Sequence, residues 1–542
     1  MRYQPDLSNI PPSLISFTKQ QWERIEPSLA SVTLAENEIT ALTKVVVGSD
    51  FVVEQFISKP TLLSELLSEN GLFEPYSQAQ YAQTLAKLIA DVDDQAALEK
   101  QLRVFRQREM VRLIWRDLNR SADTLATIKE LSALADTCVN ESLKKLYHWL
   151  CLRHGVPYSY SQPNCPAEQQ YMVVIGMGKL GAAELNLSSD IDLMFCYPKN
   201  GETVGQKKSL DNQEFFIRLG KQLIKALDAP TPDGFVFRVD MRLRPFGSVS
   251  PLASSFNAME SYYQNHGREW ERYAMIKARV IAGESPQTFN FMQSLKPFVY
   301  RKYIDYSAFE SLREMKAMIN SEVRRKGLTN NVKLGSGGIR EIEFIGQAFQ
   351  LIRGGRDARL QTRGLLNILD LLPETVSMPE LVVAELRRAY LFLRDTEHAI
   401  QAIADKQTQE LPIQEREMLR IAVSLGFNDS ESFNHCLTGH REKVSQHFSE
   451  ILAPAEEEHQ QTKSDADWLL LWQQKLSVAE AEELCAEKGF DDAAKASKLI
   501  SDLAQSKAMS LLQPLTVNRL KQVMPLLITQ ASEVDNLSLI HI

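Results

Sequence analysis

Cysteine is scarce and unpatterned in this sequence: six residues, Cys138, Cys151, Cys165, Cys196, Cys436 and Cys485, form no C-x-x-C pair. That excludes a disulfide framework and argues against a structural zinc site, so reduced thiols are expected. No apolar run reaches the roughly 18–20 residues that a membrane-spanning helix needs. The start, Met1-Arg-Tyr-Gln-Pro-Asp6, lacks the apolar stretch of a signal peptide. A cytoplasmic protein with no membrane partner is expected. Positive charge is also short, with 61 Lys and Arg against 69 Asp and Glu and a net charge of −8. Such a balance excludes a protein that coats phosphate backbone, so no nucleic-acid partner is expected, and a neutral or acidic protein or a small nucleotide fits better. Fixed-period repeats and long low-complexity tracts are absent. What remains is an ordinary globular composition, 44% hydrophobic and 24% charged over 542 residues, enough for several domains at roughly 100–200 residues each.

Most of the chain reads as helix. Between Leu98 and Leu118, Val104, Val111, Ile114, Trp115 and Leu118 recur at helical spacing. The same segment carries Arg103, Arg106, Arg108, Arg112 and Arg116, either a solvated or ion-paired face or a docking surface for an acidic partner. Strand signals begin at Tyr171-Met-Val-Val-Ile175, a short apolar run closed by Gly176. A second strand is predicted over Asp190–Tyr197 and a third over Phe235–Leu243, with a helix from Asn212 to Leu227 and a Pro/Asp/Gly turn at 230–234 between them. Helices resume from Ala308, where Val383, Leu386, Tyr390 and Leu393 mark a bundle core. Glu456–Asp467 reads as a polar linker before a last helical segment. The predicted fold is therefore mainly α with one embedded α/β domain. Its boundaries are a helical region over 1–120, the α/β domain over 121–290, a helical bundle over 291–454, the linker at 455–467 and a helical segment over 468–542.

Between the first two strands, Gly176-Met-Gly-Lys-Leu-Gly181 is literally G-x-G-x-x-G, with Glu202 at a distance suited to a ribose contact. Only residues 182–189 separate it from the next strand, too few for the crossover helix of a dinucleotide-binding unit. The stronger signal is Ser189-Asp190-Ile191-Asp192-Leu193. Side chains at i and i+2 of a strand share a face, so Asp190 and Asp192 project together while Ile191, Leu193 and Phe195 pack behind. Adjacent carboxylates repel unless a cation lies between them, and hard oxygen donors suit Mg²⁺. Asp240, between Val239 and Met241 and on one face with Arg238 and Arg242, supplies a third carboxylate, with Arg244 close by. Three aspartates on neighbouring strands suit a pair of metals about 3.5–4 Å apart.

A glycine turn carrying Lys179, a D-x-D strand and a third Asp among arginines resemble the nucleotidyltransferase superfamily of DNA polymerase β. The segments GMGKLGAAELNLSSDIDLMF (176–195), FRVDMRLRPFGSVSPL (237–252), GREWERYAMIKARVIAG (267–283) and GSGGIREIEF (335–344) are similar to those of the glutamine synthetase adenylyltransferases. The resemblance extends over most of the chain, and its wording is that of the adenylyl-removing half of this bifunctional family. It implies a polymerase-β-like sheet between helical domains and phosphorolysis of a tyrosyl–AMP on adenylylated glutamine synthetase, releasing ADP in the control of nitrogen assimilation. It also implies two Mg²⁺ ions on Asp190, Asp192 and Asp240, with AMP, ADP, ATP and inorganic phosphate as nucleotide and anion ligands and the PII signal protein as a further partner. Gly178, Lys179, Ser189, Arg242 and Arg244 are the expected phosphate and nucleotide contacts. Lys277 and Arg279 are candidates for another, or for an internal ion pair with Glu269 or Glu271. Arg340, Glu341 and Glu343, after a glycine turn, are expected at an interface between domains. No second D-x-D strand with a glycine loop follows residue 250, and the family would continue beyond Ile542, so a piece of a longer protein is expected. Two other classes compete: a template-independent RNA nucleotidyltransferase, which calls for a basic stripe, and a non-catalytic regulator that binds glutamine synthetase or PII, which has no need of all three aspartates.

Overall fold

The computed structural model describes residues 3–30, 32–68, 71–160, 166–302, 325, 327–451, 463–506, 509 and 514–533. Cys165 and the 456–462 part of the predicted linker lie outside these residues. The chain divides into two compact units, residues 1–452 and 453–542. No described helix is long and apolar enough to cross a membrane.

In the first unit the described regular structure up to His154 is all helical, ending in the long helices Gln95–Leu118 and Thr124–His154. Among the described residues seven strands follow: β1 (Val156–Ser159), β2 (Val173–Gly176), β3 (Ile191–Tyr197), β4 (Gly201–Val204), β5 (Val239–Asp240), β6 (Ala253–Ser255) and β7 (Arg279–Ala282). β1 and β4 form a small antiparallel pair. The other five make a mixed sheet in the order β5-β3-β2-β7, with β6 also on β3. β2 runs antiparallel to both neighbours, whereas β5 and β6 run parallel to β3.

Alternation along β2 and β3 divides their side chains between two cores, as a sheet covered on both faces requires. Val174, Leu193, Phe195 and Tyr197 join Phe215, Phe216 and Leu219 of the helix Asn212–Asp228 and the N-terminal helices. Val173, Ile175, Met194 and Cys196 pack instead against Phe256, Met259 and Tyr263. Ile191 lies with the first group, which leaves Asp190 and Asp192 to the other face.

The predicted third strand over Phe235–Leu243 is corrected. Only Val239 and Asp240 pair with β3, and pairing resumes at Ala253 further along the same strand. The interruption follows from Pro245, which has no N–H to donate, and from Phe246 and Gly247, both left-handed at φ 58° and 59°.

For the arginines of Gln95–Leu118 the ion-paired alternative holds, but the pairs lie inside the unit. Arg103, Arg106, Arg112 and Arg116 are buried rather than presented to solvent or a docking partner. Arg106 pairs with Asp405, Arg112 with Glu109 and Glu130, and Arg116 with Glu130, while Arg103 donates to the carbonyls of Glu99, Ala226, Ala229 and Gly234. Their place in the apolar interior is tenable because each guanidinium meets an opposite charge or several carbonyls.

From Val332 onward a helical bundle has its own core, which includes Val383, Leu386, Tyr390 and Leu393. The second unit packs the helices Lys463–Trp472, Val478–Glu487 and Ala493–Ala504 around Trp468, Leu471, Trp472, Cys485 and Ile500. Residues 463–467 are therefore helix rather than linker. The stripe Trp468, Leu471 and Trp472, at helical spacing, carries the helix back through Asp465 and Asp467.

Candidate active site

The glycine turn enters the site through close approach. Met177 N donates to the Asp192 carbonyl at 2.8 Å, and Gly178 follows in the left-handed region at φ 53°. A Cβ at Gly178 would lie 2.5 Å from Asp192 Oδ2. One at Gly181 would lie 2.0 Å from the Lys277 carbonyl and 2.5 Å from that of Gly176. Glycine is thus required where the turn touches the aspartate strand and where it touches the segment before β7. Ser189, which is buried, donates its N–H to the Asn186 carbonyl at 3.4 Å.

Register brings the carboxylates together: β3 and β5 pair Asp192 directly with Asp240. Burial, Asp190 and Asp240 push the Asp192 carboxyl up to about 6, against the pull of Lys333 and Arg242. Asp240 moves the other way. Burial raises its carboxyl, but Arg242 outweighs this through its backbone N–H at 2.8 Å, its Nε at 2.7 Å and its charge. Among the described residues no group of three or more His, Cys, Asp or Glu side chains is gathered as a ready metal cage. The donor set still fits a hard divalent cation. Its oxygens repel one another across Asp192, and the guanidinium now on Asp240 belongs to a side chain 83% exposed and free to turn away.

The basic residues expected on phosphate are held elsewhere in this structure. Lys179 Nζ donates to both Glu397 oxygens at 3.0 and 3.1 Å. Burial draws its ammonium down to about 7 although Glu397 opposes this. The Glu397 carboxyl is itself raised by burial and, on balance, brought below its ordinary range by Lys179, Lys333 and Arg394. Lys277 pairs with Glu343 at 2.7 Å and lies 3.8 Å from Glu184, so the internal ion pair formed is not with Glu269 or Glu271. Arg279 binds Asp136 at 2.7 and 3.1 Å and also donates to the carbonyls of Leu180 and Gly181. Arg244 donates to the Met241 carbonyl at 2.7 Å. Arg238 does not share a binding face with Asp240 and Arg242, because its guanidinium turns to Ser188. Arg340 is exposed, while Glu341 caps the turn by accepting from Gly337 N at 3.0 Å.

The bundle therefore reaches into the turn through residues that sequence reasoning missed. Glu184 accepts from Leu365 N at 2.7 Å, its carbonyl accepts from Arg394, and Gln401 Oε1 accepts from Ser188 N at 3.1 Å. The helix Glu380–Ala402 carries so many charged residues, Glu385, Arg387, Arg388, Arg394 and Asp395 among them, that nothing local singles out Glu397. Its partner 218 residues away was not readable.

Residues 39–294 match the family model for glutamate-ammonia ligase adenylyltransferase, and residues 313–452 match that for GlnD PII-uridylyltransferase. A bifunctional glutamine synthetase adenylyltransferase/adenylyl-removing enzyme of Pseudomonas syringae pv. tomato is 46% identical over 98% of this chain and 55% of its own length. That of Pseudomonas aeruginosa is 45% identical over the same shares, and that of Psychromonas ingrahamii 47% identical over 86% and 48%. The chain spans about half the length of the curated relatives it matches.

Proposed function

We propose that this chain, which belongs to the glutamate-ammonia ligase adenylyltransferase family, carries the adenylyl-removing activity: phosphorolysis of a tyrosyl–AMP on glutamine synthetase with release of ADP. The observation that carries the reading is the Asp192–Asp240 register with Asp190 beside it, against a glycine turn that any side chain at 178 would block. The wording of the motifs favours removal over addition. The proposed catalytic domain is 121–290, and 291–454 is the helical domain that braces it.

Asp190, Asp192 and Asp240 would hold two Mg²⁺ ions. When bound, these supply positive charge to the phosphoryl oxygens of the transferring group. In that role Asp240 would exchange its contact with Arg242, which would leave the guanidinium available to the anion. An oxygen of inorganic phosphate attacks the phosphorus of AMP, and the bond from phosphorus to the tyrosine oxygen breaks. Hydrogen phosphate gives up its proton, the phenolate takes one, and the products are ADP and unmodified tyrosine. No protein nucleophile is required, so the chain's task is orientation and charge. The buried pairs Lys179–Glu397 and Lys277–Glu343 hold the turn and the segment before β7 in place.

Adenylylated glutamine synthetase is the proposed partner. The match of 313–452 to a PII-uridylyltransferase model supports the PII signal protein as a second. The test is incubation of this chain with adenylylated glutamine synthetase, Mg²⁺ and phosphate. ADP should form at a rate that depends on phosphate. AMP accumulating without phosphate would instead mean hydrolysis, and no release of either nucleotide would overturn the assignment.

A further inference from the structure

Phosphoryl transfer gathers several anionic oxygens in one place, and catalysis consists largely of meeting them with fixed positive charge. Lys179, Lys277, Arg279 and Arg244 are all committed to protein carboxylates or carbonyls. A cation from the bundle is not. Lys333 precedes the helix Ile339–Arg353, on the turn Asn331–Gly338. It is half-buried, and among the described residues its ammonium has no ion-pair or hydrogen-bond partner.

The backbone beneath Lys333 is firmly set. Asn331 Oδ1 accepts from Lys333 N at 3.0 Å and Leu334 N at 2.8 Å, and the Lys333 carbonyl accepts from Arg340 N at 3.1 Å. Val332 N donates to the Gln409 carbonyl at 2.9 Å. The neighbouring Thr408 carbonyl accepts from Gln401 Nε2 at 3.4 Å, and Gln401 Oε1 in turn accepts from Ser188 N, two residues before Asp190. A short hydrogen-bonded path therefore joins the Lys333 turn to the aspartate strand. Lys333 lies near enough to Asp192, Glu343, Glu397 and Lys179 for its charge to act on each of them. An ammonium left unpaired among acids on a braced turn is suited to an anionic ligand.

We propose that Lys333 binds phosphoryl oxygen in the active site, carried there from the bundle by the turn Asn331–Gly338. This rests on the aspartate site being the centre of adenylyl removal. The ligand oxygen belongs either to the incoming phosphate or to the phosphate of AMP, and kinetics distinguishes them.

Lys333→Met, Lys333→Arg and Asp192→Asn are compared with the unaltered chain, using adenylylated glutamine synthetase, Mg²⁺ and inorganic phosphate. Thermal unfolding checks that each variant is folded, and calorimetric titration with AMP and with inorganic phosphate measures binding without turnover. Loss of one charge-assisted contact should weaken the relevant step about tenfold or more, with partial recovery in Lys333→Arg. A raised KM for phosphate assigns Lys333 to the incoming anion. A raised KM for adenylylated glutamine synthetase, with weaker AMP binding, assigns it to the AMP phosphate. Unchanged KM values and unchanged binding in Lys333→Met overturn the proposal, as does a fall in kcat alone that arginine does not restore. If Asp192→Asn keeps full turnover, the reading of the site itself fails. If Asp192→Asn is inactive while Lys333→Met behaves as the unaltered chain, only the role of Lys333 fails. The binding titrations decide on Lys333 even for a chain that does not turn over.

Discussion

Position 178 illustrates how narrow the tolerance of this site is. Any side chain there meets Asp192 Oδ2 at 2.5 Å, on a backbone already at φ 53°. Gly178→Ala should therefore lower ADP release at least tenfold, with little change in helical circular dichroism, because the turn must shift away from the aspartate strand. Asp190→Asn and Asp192→Asn should abolish release while the fold survives, since an amide matches the shape of a carboxylate without its charge. Steady-state assays at ordinary Mg²⁺ check both, and normal turnover would remove these residues from the catalytic site. Glu343 gives a pH-dependent prediction. Burial raises its carboxyl, but Lys277, Lys179 and Lys333 together bring it from 4.5 to about 2. A carboxyl lowered in the folded state contributes stability above its unfolded value, and that stability is lost as pH falls from 4.5 towards 2. Glu343→Gln should flatten this part of the acid-unfolding curve. At neutral pH it should cost about 3–5 kcal/mol, because Lys277 stays buried without its closest partner. Urea unfolding at pH 7 and pH 3 measures both effects.

Among the elements, the helix Gln95–Leu118 departs furthest from its surface pattern. A row of arginines suggests a solvated or ion-paired face, and Arg112 is ion-paired yet 0% exposed, bonded to Glu109 and Glu130 and lying 3.9 Å from the ring centre of Tyr76. Arg112→Met should destabilise the first unit by up to about 3–5 kcal/mol, since buried Glu109 and Glu130 each lose one of the two arginines that hold them. Denaturant midpoints test this, and a change within experimental error would return the row to the role of a surface. At the sheet, β5 and β6 share one edge of β3 because the chain between them turns out at Pro245–Gly247. That detour leaves Arg242 exposed beside Asp240 rather than paired within a continuous strand.

For the molecule as a whole, the two units have separate cores, and the proposed chemistry belongs to the first. In the second, the Asp465-Ala-Asp467 segment belongs to the helix Lys463–Trp472 and not to a strand, and Asp492 caps the helix Ala493–Ala504 by accepting from Lys495 N at 3.1 Å. Neither pair repeats the strand geometry of Asp190 and Asp192. This chain should therefore not transfer AMP from ATP to unmodified glutamine synthetase. Incubation with radiolabelled ATP and Mg²⁺ is the check. Efficient labelling with pyrophosphate release would mean that one site performs both reactions.

Features carried by short-range periodicity were legible in the sequence alone. The alternation of Ile191, Leu193 and Phe195 against Asp190 and Asp192 was one, the helix from Asn212 another, and the bundle core at Val383–Leu393 a third. In each, neighbours a few residues apart decide which side meets the core, so the pattern is present locally. The resemblance of the motif segments supplied the family. Tertiary structure decided which charges are free. Lys179 and Lys277 stand in motifs that suggest phosphate, but Glu397 and Glu343 claim them from 218 and 66 residues away. The third strand shrank to Val239–Asp240, and β7 completed the sheet unread, because strand pairing is set by partners distant in the chain. Lys333 stands two residues before the 335–344 motif, and nothing local marks a lysine that has no partner among the described residues. A buried charge is governed by the opposite charges that surround it in three dimensions, and sequence order does not record them.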